Sequence, residues 1–186
     1  MPKIIIGLVG EKGSGKETFG NFLMEVAKSK KVLRVRFSDI LNETLKLWGL
    51  EGTRHNLQHL AVVMEEGFGR GTLSNAIFKR VNNLEADIVI LDGIRWETDE
   101  KLIRSFPKNL LVYVTAEINL RFKRLQVRKE KKDEAKTFEQ FMSEEKAKNE
   151  LLIPKIGIRA DFKIENNKDF SDLKEAVKEF YKKAIL

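Results

Sequence analysis

The chain has 186 residues, 42% hydrophobic and 34% charged, with a formal net charge of +7 and no cysteine. That size and balance predict one compact domain with a sizeable core, and the missing cysteine excludes a disulfide framework, a thiolate metal site and a cysteine nucleophile. No apolar run approaches the roughly 18 residues of a membrane-spanning helix, and the apolar start is too short for a signal peptide, so a cytoplasmic protein with no membrane partner is expected.

The positive charge fits three partners. A polyanionic small molecule would draw basic residues into a cleft. A nucleic acid would want a basic stripe with exposed aromatics, and neither an aromatic RNA-binding signature nor a helix-turn-helix signal is present. The third option is a lysine-rich solvated surface.

Ile4 to Val9 is an apolar run that reads as a strand. A glycine-rich loop follows, Gly10-Glu11-Lys12-Gly13-Ser14-Gly15-Lys16, and then Phe19, Phe22, Leu23 and Val26 recur at helical spacing. Strand, loop and helix in that order form the context of a phosphate-binding loop. Gly13 and Gly15 allow tight turns that present N–H groups to phosphate oxygens. The helix directs its positive end at the same anion, and Lys16 reaches the β- and γ-phosphates. The position after the lysine usually carries Ser or Thr for Mg²⁺. Here it is Glu17, with Thr18 one residue later. Either Glu17 contacts Mg²⁺, through water, or it turns outward and Thr18 serves the α-phosphate.

Val32 to Phe37 alternates apolar and basic residues as a second strand would. Ser38-Asp39 is expected to cap a helix over Ile40 to Trp48; alternatively Asp39 faces the acceptor as a general base. Thr53 caps a helix from Arg54 to Glu66, and Arg54 is placed either to clamp an acceptor phosphate or to sit on the surface. Leu73 to Val81 is again helical. His55 and His59 have the spacing of a metal pair, but no third ligand is evident.

Asp87 to Gly93 holds four consecutive apolar residues, the pattern of a strand buried on both faces. Asp92 ends it, either holding Mg²⁺ or capping the strand, with Arg95 and Trp96 just beyond. Glu97 to Phe106 is a helix stopped by Pro107, and Leu110 to Val114 the next strand. Glu117 to Arg128 is helical and carries Arg121, Arg124 and Arg128 on one face, extended by Lys129, Lys131 and Lys132. Such a basic arm suits phosphoryl transfer, which needs positive charge on the migrating group; a solvated basic face is the plainer reading. A helical stretch from Phe138 to about Leu152, a strand at Asp161 to Ile164 and a helix at Phe170 to Tyr181 close the chain.

Alternating strands and helices predict a parallel α/β sheet. Residues 39 to 83 and 128 to 150 fall outside the alternation, at strand ends where such sheets bind ligands.

The segments GEKGSGKET (10–18), SDIL (38–41), EGTRHNLQHLA (51–61), FGRGTLSNAI (68–77), LDGIR (91–95), RFKRLQVR (121–128) and ADFKIENN (160–167) resemble P-loop kinases of the nucleoside-monophosphate-kinase group. Within it they are most similar to the set related to dephospho-CoA kinases and adenylate kinases. The resemblance implies a three-layer fold with five parallel strands in the order 2-3-1-4-5, a helical acceptor-binding region at about 39–83 and a lid at about 128–150. It implies ATP and Mg²⁺, with Arg124 packed on adenine and Arg128 on phosphates. DGIR is one residue shorter than the adenylate kinase motif DGFPR. Asn42 stands where adenylate kinases carry an arginine, which argues against plain AMP recognition.

The expected activity is transfer of the γ-phosphoryl of ATP to a small phosphorylated acceptor, a nucleotide or dephospho-CoA. Lys16, Asp39 and Arg128 would be catalytic. Residues 10–18 and Arg124 would bind ATP, Asp39, Arg54 and Arg95 the acceptor, and Glu17 and Asp92 the metal. The alternative is an ATP-hydrolysing module acting on a protein or RNA partner.

Overall fold

Ile4–Val9 forms the central strand, β1, because its side chains are apolar on both faces and the sheet has helices on both sides. The computed structural model describes residues 3–128, 137–147 and 150–186. In chain order β1 is followed by α1 (Lys16–Val26), β2 (Val32–Arg36), α2 (Phe37–Leu47), α3 (Arg54–Gly67), α4 (Thr72–Asn82), β3 (Ile88–Ile94), α5 (Glu97–Ser105), β4 (Asn109–Thr115), α6 (Ile118–Arg128), α7 (Phe138–Glu145), α8 (Ile153–Ile158), β5 (Phe162–Glu165) and α9 (Phe170–Ala184). The five strands are all parallel and lie in the order β2-β3-β1-β4-β5. This is the expected three-layer P-loop arrangement.

Alternation along the strands divides the core in two. Ile5, Val9, Val89, Leu91 and Leu111 face α2, α3, α4, α5 and α8. Ile6, Leu8, Ile88, Ile90, Val112 and Val114 face α1 and α9, which pack side by side through Phe19, Leu23, Val177 and Phe180. A small satellite core of Leu125 and Phe141 joins α6 to α7. Among the described residues no helix is long and apolar enough to cross a membrane.

Most element ends follow their local chemistry. Thr53 caps α3 as expected, its hydroxyl accepting the Asn56 N–H at 3.2 Å. Asp169 caps α9, accepting from Ser171 and Asp172. Two expectations need correction. First, α2 begins at Phe37, directly after β2, so Asp39 lies inside the first turn rather than before it. Its carboxylate reaches back to the Arg36 N–H at 3.0 Å, satisfying a donor the helix leaves open. Second, the helix expected to run from Phe138 to Leu152 stops at Glu145. A separate short helix, α8, then starts at Ile153 with proline in its first turn, where the missing N–H costs nothing. The β3 strand also runs past its expected turn. Leu8 pairs with Asp92 but Val9 pairs with Ile94, so Gly93 is a bulge residue beside the phosphate-binding loop.

Candidate active site

The loop after β1 is built as an anion cradle and braced from behind. Gly13 and Gly15 have φ of 76° and 98°, in the left-handed region that glycine alone adopts freely. A Cβ at Gly13 would meet the Arg121 carbonyl oxygen at 2.7 Å, and one at Gly15 the Asn166 Nδ2 at 2.2 Å. Those approaches exist because the bracing groups are hydrogen-bonded to the loop. Arg121 Nη1 donates to the Lys12 carbonyl at 3.1 Å, and Asn166 Nδ2 donates to the Ser14 carbonyl at 2.9 Å. The Tyr113 hydroxyl donates to the Glu11 carboxylate. Burial and that carboxylate push Tyr113 up to about 12.

Two polar groups in the cradle are poised for a ligand. Lys16 Nζ donates to the carbonyls of Gly10 and Glu11 at 2.5 and 2.8 Å. Burial holds its ammonium below the usual lysine range, against the opposing pull of Asp92. The Ser14 hydroxyl is fully buried without a hydrogen-bond partner among the described residues, which native interiors rarely tolerate.

The cradle opens into a cleft of about 1130 Å³. Lys12, Lys16, Glu17 and Thr18 line it on the loop side, and Glu11 does not. Arg34, Arg36, Asp92 and Arg95 come from the carboxyl ends of β2 and β3, while Arg54, Leu57 and Gln58 come from α3. Leu120, Arg124 and Val127 of α6 and Phe170 of α9 form the far wall.

Both carboxylates expected near the metal line this cleft. Asp92 is ion-paired with Arg34, and Glu17 with Arg36 at 2.7 Å. No cluster of three or more acidic, histidine or cysteine ligands occurs among the described residues. Mg²⁺ needs none, since it is usually bound through one or two carboxylates plus substrate phosphates. The Glu17 and Asp92 pair with the glycine cradle therefore fits Mg²⁺ bound together with a nucleotide. His55 and His59 stack with ring centroids 6.1 Å apart, both on the exposed face of α3.

The remaining expected residues separate. Arg54 and Arg95 meet across the cleft on Glu150, with Arg95 Nη1 2.6 Å and Arg54 Nη2 3.7 Å from its Oε1. Trp96 lines the cleft beside them. Arg124 reaches Asn166 at 3.4 Å and the Lys168 carbonyl at 3.3 Å. Its Nη1 is buried without a hydrogen-bond partner among the described residues, and burial lowers its pKa. Asp39 does not line the cleft, because its carboxylate is held at the start of α2. Arg121 leaves the expected basic face: it is buried, pairs with Glu145 at 2.7 Å and packs over the Phe141 ring. The Arg128 side chain, with Lys129, Lys131 and Lys132, lies outside the described residues.

Several site residues escape sequence reasoning. Arg34 and Arg36 read as the polar half of a strand; their spacing of two puts them on one face, and their position at a strand end was the usable signal. Asp99 is 1% exposed and accepts from the amides of Arg95 and Trp96, each at 3.0 Å, and from the Ser74 hydroxyl at 2.7 Å. It fixes the turn that carries Arg95 and Trp96. Asn166 falls in the ADFKIENN segment but its contact with the loop is not readable there, and Glu144 and Glu150 have no motif that announces them.

No protein-family model matches the chain. A UPF0200 protein of Methanocaldococcus jannaschii is 28% identical over 171 residues, covering 91% of this chain and 84% of that protein. Among solved structures, shikimate kinase from Bacteroides thetaiotaomicron matches with a TM-score of 0.65 at 16% identity, covering 98% of this chain and 99% of that one. A gluconokinase from Sinorhizobium meliloti matches with a TM-score of 0.56 at 16% identity, covering 98% and 94%. At these identities the likeness is one of fold: the chain shares the architecture of small-molecule P-loop kinases, and function has to be argued from the site.

Proposed function

We propose that the protein is an ATP-dependent, Mg²⁺-requiring phosphotransferase that moves the γ-phosphoryl of ATP to a small phosphorylated acceptor, such as a nucleoside monophosphate or dephospho-CoA. The observation that carries this reading is a glycine cradle holding a partly buried lysine, opening into one cleft that also presents arginines from β2, α3 and the end of β3. An ATP site needs the first, and transfer to an anionic acceptor needs the second.

In this reading the loop amides and Lys16 bind the β- and γ-phosphates and favour the charge that develops during transfer. Glu17 and Asp92, with Thr18 beside them, would hold Mg²⁺, which supplies charge neutralisation between phosphate oxygens when bound. Arg124, with Val127 and Phe170, forms the wall for the adenine. Arg54 and Arg95 bind the acceptor, with residues 39–83 as the acceptor-binding region and residues around 128–150, including Arg128, as the lid. A phosphate monoester attacks through an oxygen that is already ionised and needs no general base. Asp39 does not line the cleft, which suits an acceptor that attacks through a phosphate oxygen, as a nucleoside monophosphate does, better than one that attacks through a hydroxyl, as dephospho-CoA does.

The test is acceptor-stimulated ADP formation with Mg²⁺ and ATP. Nucleoside monophosphates, deoxynucleotides, dephospho-CoA and phosphomevalonate form the panel. At least one acceptor should raise turnover, and Lys16→Ala should lower kcat/KM about a hundredfold or more by removing a transition-state charge contact. Turnover indifferent to every acceptor would replace the kinase reading with that of an ATP-hydrolysing module.

A further inference from the structure

Five side chains of alternating charge form a continuous row, and four of them, Lys12, Arg54, Glu150 and Arg95, line the cleft. Lys12 Nζ lies 2.8 Å from Glu144 Oε2, and the same oxygen lies 3.6 Å from Arg54 Nε. Arg54 Nη2 then lies 3.7 Å from Glu150 Oε1, which lies 2.6 Å from Arg95 Nη1. The row starts on the phosphate-binding loop, passes through α3 and ends at the turn after β3. Its two anions flank the junction between α7 and α8. Side-chain exposure is only 4% for Glu150 and 25% for Glu144.

Ionised carboxylates are not buried without a strong counterpart. The counterparts here are cations that the proposed kinase needs for its own substrates. A guanidinium N–H engaged by Glu150 cannot at the same time serve a phosphate oxygen. The row also spans both halves of the cleft, Lys12 on the nucleotide side and Arg54 and Arg95 on the acceptor side.

We propose that Glu144 and Glu150 are internal anions that occupy the seats of substrate phosphate or carboxylate groups, and that the acceptor carries an anionic group that binds by displacing Glu150 from Arg54 and Arg95. This rests on the kinase reading for the identity of the two seats. Ligand entry is an exchange of anions, and the apparent affinity for a polyanion is reduced by the fraction of molecules in which the glutamates hold the cations. A neutral acceptor gains nothing from that exchange.

Inorganic tripolyphosphate tests the exchange without turnover. Its binding to the full chain is measured by calorimetry for the unmodified protein, Glu144→Gln, Glu150→Gln and the double variant, with melting curves for each. The amide keeps the shape and removes the competing charge. Each single variant should bind tripolyphosphate about tenfold more tightly, and the double variant more tightly still. Unchanged or weaker binding overturns the proposal, since it would make the glutamates supports that orient the arginines. Should Glu150→Gln fail to fold, Glu144→Gln, the more exposed site, decides alone. Lys16→Ala separates the two readings. If it binds tripolyphosphate as tightly as the unmodified protein, the phosphate-binding loop is not the seat and the kinase reading falls. If it binds weakly while the glutamine variants gain nothing, the kinase reading stands and the exchange does not.

Discussion

At the scale of single residues, the site depends on carboxylates that do different work according to their surroundings. Asp99 is nearly fully buried, and burial raises its pKa from an ordinary 3.8 to about 6, against hydrogen bonds from Arg95, Trp96 and Ser74 that favour the ionised form. The folded chain therefore holds this proton more tightly than the unfolded chain does. The resulting stability is fully present below about pH 4 and is lost as pH rises through 6, a change of about 3 kcal/mol from this one group. Asp99→Asn removes that titration, so its melting temperature should vary less steeply between pH 4 and 6 than that of the unmodified protein. Parallel slopes would mean that Asp99 titrates like a solvated carboxylate. Asp39 has the same short side chain and the same reach back to an N–H, and no shift of role could be read from its sequence neighbours. Ser38-Asp39 after a strand is equally compatible with a cap and with a base; only the early start of α2 at Phe37 assigns the carboxylate to the backbone.

At the scale of elements, the phosphate-binding loop is one half of a joint. Gly15 turns with φ 98° directly under the Asn166 amide, which comes from the end of β5. Gly15→Ala meets both a disfavoured backbone region and a 2.2 Å clash, and should cost about 1–3 kcal/mol of stability by chemical denaturation. A loss under about 0.5 kcal/mol, the size of an ordinary surface change, would mean that Asn166 is not fixed against the loop. The strands were readable because their apolar runs are long enough to be buried on both faces, and α3 because Thr53 and Gly67 mark its ends. The junction from α7 to α8 was not. Its residues mix acidic, basic and apolar types without a period, while Phe141 before it and Ile153 after it seat in two different cores. For the same reason no period marks Glu144 or Glu150, although the fold brings Glu150 into the cleft and Glu144 against Lys12. Sequence periodicity reports which face of an element is buried; it does not report which distant cation a charged side chain will meet.

At the scale of the whole molecule, the net charge of +7 is not spread evenly in effect. Arginines from β2, α3, β3 and α6 converge on one cleft, and several are partly neutralised by acidic partners there. A ligand that joins the loop to the far wall ties together segments that otherwise meet through these ion pairs. Saturating Mg²⁺ and ATP at a hundred times the dissociation constant should stabilise the chain by about 2.7 kcal/mol, seen as a rise in melting temperature that Lys16→Ala largely abolishes. An equal rise in both proteins would place the nucleotide elsewhere.

The strand order has a consequence in time. Of the five strands the central one is made before the other four, and both of its neighbours, β3 and β4, come much later in the chain. Contacts of such long sequence separation form slowly, and the strand edge waits exposed until they do. The Asn166 brace arrives later still, with the last strand. A nascent chain thus carries its complete glycine loop while β3, β4 and β5 are still to be made, and lacks the groups that give the loop its shape. Nucleotide capture becomes a property of the finished sheet, although its most legible motif is made before four of the five strands.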